Sequence, residues 1–226
     1  IKFLNSNHKE IDAVIHMGAI SATTERNVDL IINNNFQLSL ELWNWCTIHE
    51  VRFIYASSAA TYGNGNYGFC DEFSHESLAA LKPLNPYAWS KHLFDRQVCR
   101  LISNGESTPP QWVGLKFFNV YGPNEYHKGR MQSVVAQIYS RAVSDKPAKL
   151  FRSHDPNYKD GEQLRDFISV EDCTEILNWF LDTPSACALF NCGTGKARSY
   201  ADVAKAVFKA LGKESRIEFI DTPEDI

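Results

Sequence analysis

The chain has 226 residues, of which 44% are hydrophobic and 22% charged, with a formal net charge of −4. It is long enough to bury a real core as one domain or one and a half, and its mild acidity gives no reason to expect a nucleic-acid or membrane surface. No apolar run approaches the roughly 20 residues of a membrane span, and no signal peptide opens the sequence.

Cysteine and histidine usage argues against a metal site. The seven histidines form no ligand cluster, and none of the six cysteines shows Cys-x-x-Cys spacing. We therefore predict no metal, and buried free thiols of a cytoplasmic enzyme, because most of the cysteines lie inside apolar runs. The cysteines are Cys46, Cys70, Cys99, Cys173, Cys187 and Cys192.

The first predicted elements are a strand and a helix. Residues 11–19 form an apolar run ending in small residues, which predicts a buried strand and a turn. Asn33 to Gln37 precede apolar residues at helical spacing, and we expect these asparagines to cap that helix.

One motif is missing from this part of the sequence. A dinucleotide-binding fold needs a glycine-rich turn early, where the backbone approaches a pyrophosphate. The 226 residues contain no Gly-x-x-Gly-x-x-Gly. Either the protein uses no dinucleotide, or the sequence starts one βαβαβ piece into a longer protein and also stops short of its end. The residues that follow favour the second explanation.

The next elements bring together three residues suited to acid–base chemistry. Arg52 to Gly63 predicts a buried strand that delivers Ser58 to its carboxyl end, and residues 64–83 predict a surface loop with one irregular turn. Pro86 suits the first turn of a helix, on which Tyr87 and Lys91 share a face. An ammonium about 4 Å away, at an effective dielectric of about 20, lowers a phenol pKa by about three units, which makes tyrosine a working acid–base group. On these two residues alone, a tyrosine packed on a lysine stem is the alternative.

The remaining pattern alternates strands and helices. Strands are predicted over 112–123, 164–172 and 189–195, with a short apolar pair at 150–151, and helices over 132–143, 173–181 and 200–211. This alternation predicts an α/β fold with a doubly wound parallel sheet. Gly193-Thr194-Gly195 is a weak phosphate-loop signal, because it lacks the Lys-Ser/Thr partner.

Ser58, Tyr87 and Lys91, with Ser-Ala-Ala-Thr-Tyr-Gly around the serine, resemble the extended short-chain dehydrogenase/reductase superfamily. The resemblance implies a Rossmann-like sheet over residues 1–123 and a smaller mixed substrate-binding domain over 124–226, with about 164–192 returning to the first domain. It implies that Ser58 binds the reacting hydroxyl, Tyr87 exchanges its proton and Lys91 holds the nicotinamide ribose. It further implies cofactor contacts by Met17, Gly18, Ala19, Ile20, Ser21, Asn34 and Val120.

Within the superfamily, Ala59 and Ala60 replace the Asp-Glu pair of dehydratases, which argues against dehydration. His127-Lys128-Gly129, followed by Met-x-Ser-Val, resembles the ADP-glycero-manno-heptose 6-epimerases, which make a lipopolysaccharide precursor. The resemblance implies transient oxidation at C6, with Tyr87 and Lys128 as two acid–base groups. A solvated loop lysine is the alternative for Lys128, and a salt bridge with Asp166 is the alternative for Arg165. The implied substrate-binding residues are Ser58, Asn119, Arg130, Gln137, Phe151, Arg152, Ser153, His154 and Arg165.

The resemblance also implies the cofactor and partners. NADP is expected from the family, with NAD open, since the residue that would choose between them lies upstream of Ile1. The expected partner is a nucleotide sugar, ADP-heptose, with a homo-oligomer, a pentamer by family resemblance. Met17 and Arg130 depart from the family pattern. One rival function is another nucleotide-sugar epimerase or reductase, such as a UDP-hexose 4-epimerase. The other is a non-enzymatic Rossmann-like binding module, which would lack Ser58, Tyr87 or Lys91.

Overall fold

The computed structural model describes residues 1–222. The helices are α1 Lys2–Asn7, α2 Val28–Ile31, α3 Leu38–Ile48, α4 His75–Ala80, α5 Pro86–Ser103, α6 Val134–Val143, α7 Val170–Asp182 and α8 Tyr200–Ala210. The strands are β1 Ala13–His16, β2 Arg52–Ser58, β3 Trp112–Phe117, β4 Asn119–Tyr121, β5 Ala148–Phe151, β6 Leu164–Ser169, β7 Ala188–Cys192, β8 Ala197–Ser199 and β9 Ile217–Ile220. Short 3-10 turns cover His8–Glu10, Ala59–Tyr62 and Tyr126–Met131, and a π-helical turn covers Ile32–Gln37.

The chain divides into two compact units. The first holds residues 1–117 and 176–192, and the second holds 118–175 and the described residues from 193 onward. The division falls at 117/118 rather than at the expected 123/124, and the segment that returns to the first unit begins at 176 rather than near 164. Because residues 112–121 form one apolar run, hydrophobicity gave no sign of the earlier division.

The first unit is built on a parallel sheet in the order β1-β2-β3-β7. β2 lies inside the sheet, and its register pairs Ser58 with Phe117 at the carboxyl ends of β2 and β3. Gly114 is required beside β2, because a Cβ there would lie 2.5 Å from the Tyr55 hydroxyl. The predicted α/β class with a parallel sheet is confirmed.

Helices α3 and α5 supply the apolar core of this unit. Trp43 of α3 meets Phe53 edge-on at 6.1 Å between ring centroids, and Phe94 of α5 meets Tyr55 at 4.8 Å. Such edge-to-face pairs are the preferred arrangement of packed aromatic rings. The sheet therefore holds α5 firmly, and the amino end of α5 carries Tyr87.

Three predictions about this unit were wrong in detail. The asparagines at 33–35 do not cap a helix, because Asn27 caps it earlier by accepting from the Leu30 amide at 3.0 Å. The segment 64–83 contains α4, which begins in a capping box at Ser74 and buries Leu78. β1 is not fully buried: in the described chain it pairs only with β2, and Ile15 is 41% exposed.

The second unit has its own sheets and core. β4 pairs in parallel with β6, β6 pairs antiparallel with β8, and β5 pairs in parallel with β9. Its core joins α6, β5 and α8 through Ile138, Leu150 and Phe208. The predicted strand 112–123 is two strands, since β3 ends at Phe117 and β4 pairs in a different sheet.

Within residues 1–222, no helix is both long enough and apolar enough to cross a membrane.

Candidate active site

Ser58 and Tyr87 lie together in the first unit. Ser58 ends β2 and is 8% exposed. Pro86 opens α5 as predicted, and Asn85 caps it by accepting from the Ala88 amide at 2.9 Å. The Ser58 side chain lies close enough to the Tyr87 hydroxyl to lower the pKa of that phenol. A hydroxyl and a phenol thus meet where the carboxyl end of a parallel strand approaches the start of a helix.

The pKa of Tyr87 differs from the sequence-based expectation. Burial raises this pKa above its usual value of 10, because a phenolate is poorly solvated there, and the nearby Ser58 hydroxyl opposes the rise only in part. Lys91 is not among the causes of the shift, so the predicted lowering by about three units was wrong for this structure. In the protein alone, Tyr87 is therefore a neutral phenol at neutral pH.

Lys91 is a buried cation on the first turns of the same helix. It is 3% exposed, and burial lowers its pKa to about 8, while the nearby Asp95 charge opposes that shift. No hydrogen bond or ion pair to its ammonium occurs within residues 1–222. A buried ammonium without a protein partner is suited to a bound hydroxyl-rich or anionic group.

Asn35 joins the loop after β1 to helix α5. Its side-chain oxygen accepts from the Ile20 amide at 2.8 Å, and its nitrogen donates to the Ile20 carbonyl at 3.0 Å and to Ser90 Oγ at 3.0 Å. Ser90 in turn donates to the Tyr87 carbonyl at 2.6 Å. Asn35 therefore fixes the predicted cofactor loop, Met17 to Ser21, against α5.

Sequence reasoning missed Asn35, although it predicted the neighbouring Asn34 as a cofactor contact. Asn34 is only half-buried and donates to the Leu30 carbonyl at 2.8 Å. Asn35 is fully buried and lies in helical phase with the buried Ile31 and Ser39. That i, i+4 phase was the available signal.

A buried charge network lies beneath Ser58. The Asp95 carboxylate contacts Lys116 Nζ at 3.0 Å and accepts from Ser57 Oγ at 2.7 Å. Lys116 also donates to Thr61 Oγ1 at 2.6 Å, and Thr61 donates to the Ser58 carbonyl at 2.8 Å. Lys116 was missed, although a lysine inside the apolar run of β3 was a visible anomaly.

Lys128 lies in the second unit, on the 3-10 turn Tyr126–Met131. Its side chain is 46% exposed, and its Nζ lies 3.8 Å from Glu125 Oε2. Arg130 is exposed on the same turn, and Gln137 donates to the carbonyls of Gln132 at 2.8 Å and Arg130 at 3.4 Å. The structure therefore brings Lys128, Arg130 and Gln137 together around one turn.

Asn119 and Val120 line a cavity of about 220 Å³ in the same unit, together with Ser133 and Tyr200. The Asn119 amide donates to the Asp166 carbonyl at 3.0 Å, which fixes its orientation. Asn119 and Ser133 thus place polar side chains on the wall of this cavity.

Phe151, Arg152, Ser153 and His154 follow one another at the end of β5. Arg152 pairs with Asp160 at 3.1 Å, Asp160 accepts from the Ser153 amide at 2.8 Å, and His154 Nε2 lies 2.8 Å from Thr222 Oγ1. These groups form one exposed polar surface within the second unit.

Arg165 and Asp166 do not pair with each other as the alternative interpretation would have it. Arg165 is exposed and donates to the Leu164 carbonyl at 2.7 Å. Asp166 instead accepts from the Thr194 hydroxyl at 2.6 Å and the Gly195 amide at 2.8 Å. An aspartate thus occupies the glycine turn, which explains why Gly193-Thr194-Gly195 is not a phosphate loop.

Known proteins resemble this chain over nearly all its length. An ADP-L-glycero-D-manno-heptose-6-epimerase of Nitratidesulfovibrio vulgaris is 49% identical over 217 residues, covering 96% of this chain and 65% of that protein. One of Fusobacterium nucleatum is 46% identical over 226 residues, covering 97% of this chain and 67% of that protein. The chain therefore spans about two thirds of the length of these relatives.

Solved structures agree on the fold. The Helicobacter pylori ADP-L-glycero-D-manno-heptose-6-epimerase has a TM-score of 0.76 at 31% identity, covering 97% of this chain and 64% of that one. A Thermus thermophilus UDP-glucose 4-epimerase in complex with NAD has a TM-score of 0.73 at 26% identity, covering 98% and 69%. The predicted resemblance is confirmed. The family model for the NAD dependent epimerase/dehydratase family matches residues 2–193, and the chain belongs to that family.

Proposed function

We propose that this chain is the greater part of an enzyme that inverts C6 of ADP-glycero-manno-heptose by transient oxidation with bound NADP. The observation that carries the proposal is the position of Tyr87 beside Ser58, with the buried Lys91 on the same helix as the tyrosine. Relatives of that name at 49% and 46% identity support the substrate. The reaction belongs to the synthesis of a lipopolysaccharide core precursor, in the cytoplasm.

The residues present fit a nicotinamide cofactor. Lys91 offers a buried ammonium that no protein group pairs within the described chain, and a Cβ at Gly18 would meet no protein atom within 4 Å. A ligand backbone or ring can therefore approach the turn after β1 closely. Lys91 would hold the ribose, and Met17, Gly18, Ala19, Ile20, Ser21, Asn34 and Val120 would complete the contacts. When bound, NADP would accept a hydride from C6 and return it.

Ser58 and Tyr87 handle the proton in one direction. The Ser58 hydroxyl orients the C6 oxygen, and Tyr87 exchanges a proton with that oxygen. Because burial raises the pKa of Tyr87, its neutral phenol is the resting form and gives a proton to the oxygen of the aldehyde. In the oxidative direction the phenolate left by that transfer would take the proton of the C6 hydroxyl.

Lys128 serves the other orientation of the aldehyde. Inverting a centre through a planar carbonyl requires hydride return to the opposite face, so a second proton donor has to meet the oxygen after the aldehyde turns over. Asn119, Arg165 and Arg130 would bind the nucleotide diphosphate and sugar, since guanidinium groups suit bidentate phosphate contact. Gln137, Phe151, Arg152, Ser153 and His154 would complete the substrate site. The enzyme would work as a homo-oligomer, a pentamer by family resemblance.

The rival function is 4-epimerisation of a UDP-hexose, which the Thermus thermophilus structure at 26% identity keeps open. The whole enzyme should be incubated with ADP-glycero-manno-heptose and separately with UDP-glucose, and the products followed by NMR. Inversion at C6 of the heptose alone is expected. Inversion at C4 of the UDP-sugar without action on the heptose would contradict the proposal. Only the fold and the proposed roles of Ser58, Tyr87 and Lys91 would then remain.

A further inference from the structure

The Glu125 carboxylate bridges both ends of the segment that carries Lys128. Its Oε1 accepts from the Gly122 amide at 3.1 Å and from the Ser133 hydroxyl at 2.8 Å, and its Oε2 accepts from the Ser133 amide at 2.7 Å. Glu125 is 7% exposed, so these bonds are made away from water. One buried side chain thus holds residues 122 and 133 together.

The same carboxylate faces the lysine. Oε2 lies 3.8 Å from Lys128 Nζ, and the Lys128 amide donates to the Glu125 carbonyl at 2.9 Å. Burial raises the pKa of Glu125, but the hydrogen bonds from Ser133 and Gly122 and the charge of Lys128 outweigh it and hold the pKa below its usual value. Glu125 is therefore an anion beside the ammonium.

Capping of α6 does not account for this arrangement. Ser133 caps α6 with its own hydroxyl, which accepts from the Ala136 amide at 3.1 Å. Glu125 adds nothing to that helix end beyond fixing Ser133 itself. Ser133 also lines the 220 Å³ cavity beside Asn119, so Glu125 connects the lysine turn with the cavity wall.

We propose that Glu125 is a positioning residue for Lys128, fixing the turn that carries the lysine and holding its ammonium next to the cavity wall. This inference rests on the proposed function, in which Lys128 is the second acid–base group. Glu125 touches neither the sugar nor the cofactor in this proposal. It acts through the place and charge that it gives to Lys128.

The test compares two activities of the whole enzyme carrying Glu125→Gln. One is C6 epimerisation, which needs both acid–base groups, and the other is dismutation of a 6-aldehyde analogue to alcohol and acid, which Tyr87 supports alone. The ratio of the two kcat values does not depend on the fraction of folded enzyme. We expect Glu125→Gln to lower the ratio about 10²-fold with little change in KM, as for a catalytic group displaced by about 1 Å.

Asp202→Asn is the matched control. Asp202 also pairs with a lysine three residues on, at 3.9 Å, but both side chains are exposed and lie outside the proposed site. Its ratio should equal that of the wild type. An unchanged ratio in Glu125→Gln would overturn the inference.

A double variant separates this inference from the proposed function. Once Lys128→Met has lowered the ratio, adding Glu125→Gln should lower it no further, because residues that act as a unit are not additive. A further drop would show that Glu125 acts without Lys128 and would overturn the inference. A normal ratio in Lys128→Met alone would instead refute the two-base function on which it rests.

Discussion

At the scale of single residues, Tyr87 offers the most direct test of the proposed mechanism. Tyr87→Phe keeps the ring and removes the hydroxyl next to Ser58, so the protein should fold and bind ligands normally. Its kcat for epimerisation should fall about 10² to 10⁴-fold, the usual contribution of an acid–base group. Tyr139→Phe, at an exposed position of α6, is the matched control. Turnover near wild type in Tyr87→Phe would remove the tyrosine from the mechanism.

Two buried histidines make stability depend on pH. Burial lowers the pKa of His16 to about 4, with Lys91 adding to it, and burial lowers the pKa of His92 to about 4 as well. Both ring nitrogens of His92 lack a hydrogen-bond partner among the described residues. The unfolded chain takes up protons near pH 6.5, whereas the folded chain takes them up only near pH 4.

The sign of the effect follows from that difference. Because the unfolded chain binds more protons between pH 6.5 and 4, stability is fully present above 6.5 and is lost as the pH falls through this range. Urea unfolding of His92→Leu at several pH values should show about half the wild-type loss from these two groups. Exposed His8→Leu should retain the whole loss. An equally steep loss in His92→Leu would mean that His92 is protonated in the folded protein.

At the scale of elements, β2, β3 and α5 are joined by the Asp95 and Lys116 pair. Asp95→Asn leaves the Lys116 ammonium buried beside Ser57 and Thr61 without its counter-charge. Removing one partner of a buried pair typically costs about 3–5 kcal/mol, which we expect in the free energy of unfolding measured in urea. A change no greater than that of the exposed-pair variant Asp202→Asn, about 0–1 kcal/mol, would show that water reaches the site.

The double variant Asp95→Leu with Lys116→Met removes both charges and should recover most of the lost stability. Its activity should stay low, because Thr61, which donates to the Ser58 carbonyl, loses the hydrogen bond from Lys116 that orients its hydroxyl. Recovered stability with recovered activity would limit the pair to a purely structural role.

The elements that periodicity predicted best are those with a strong apolar face and a clear start. Pro86 and Asn85 marked the beginning of α5, and the period of its apolar residues carried the prediction through its length. The start of the earlier helix was misplaced because Asn27 and Asn33 are equally good caps by residue type. Only tertiary packing distinguishes these two candidate caps. The burial of Asn35 shows that an asparagine of residues 33–35 faces the core.

At the scale of the whole molecule, the sequence predicted the residue types of the site better than their partners. Ser58, Tyr87 and Lys91 could be predicted as candidates because a strand end and an i, i+4 pair are local patterns. Asp95 with Lys116, and Asp166 with Thr194, join residues far apart in the chain, and no local pattern encodes such contacts. The expected effect of Lys91 on Tyr87 failed for the same reason, since desolvation depends on everything packed around the phenol.

The proposed reaction uses two acid–base groups, Tyr87 and Lys128. If each serves one orientation of the aldehyde, neither alone supports net epimerisation. The whole enzyme carrying Lys128→Met should therefore lose C6 epimerisation by about 10² to 10⁴-fold. It should retain partial dismutation of a 6-aldehyde analogue, because one proton donor suffices for each half of that reaction.

Lys149→Met is the control for removing a lysine from the second unit, since Lys149 is an exposed residue of β5. It should retain both activities. Both products can be followed in one NMR experiment, with the heptose giving the C6 epimer and the aldehyde giving equal amounts of alcohol and acid. Loss of both activities in Lys128→Met would mean that Lys128 binds substrate rather than exchanging a proton, because a binding residue serves either orientation. Retention of both would leave Tyr87 as the single acid–base group and would require the aldehyde to meet it from either face.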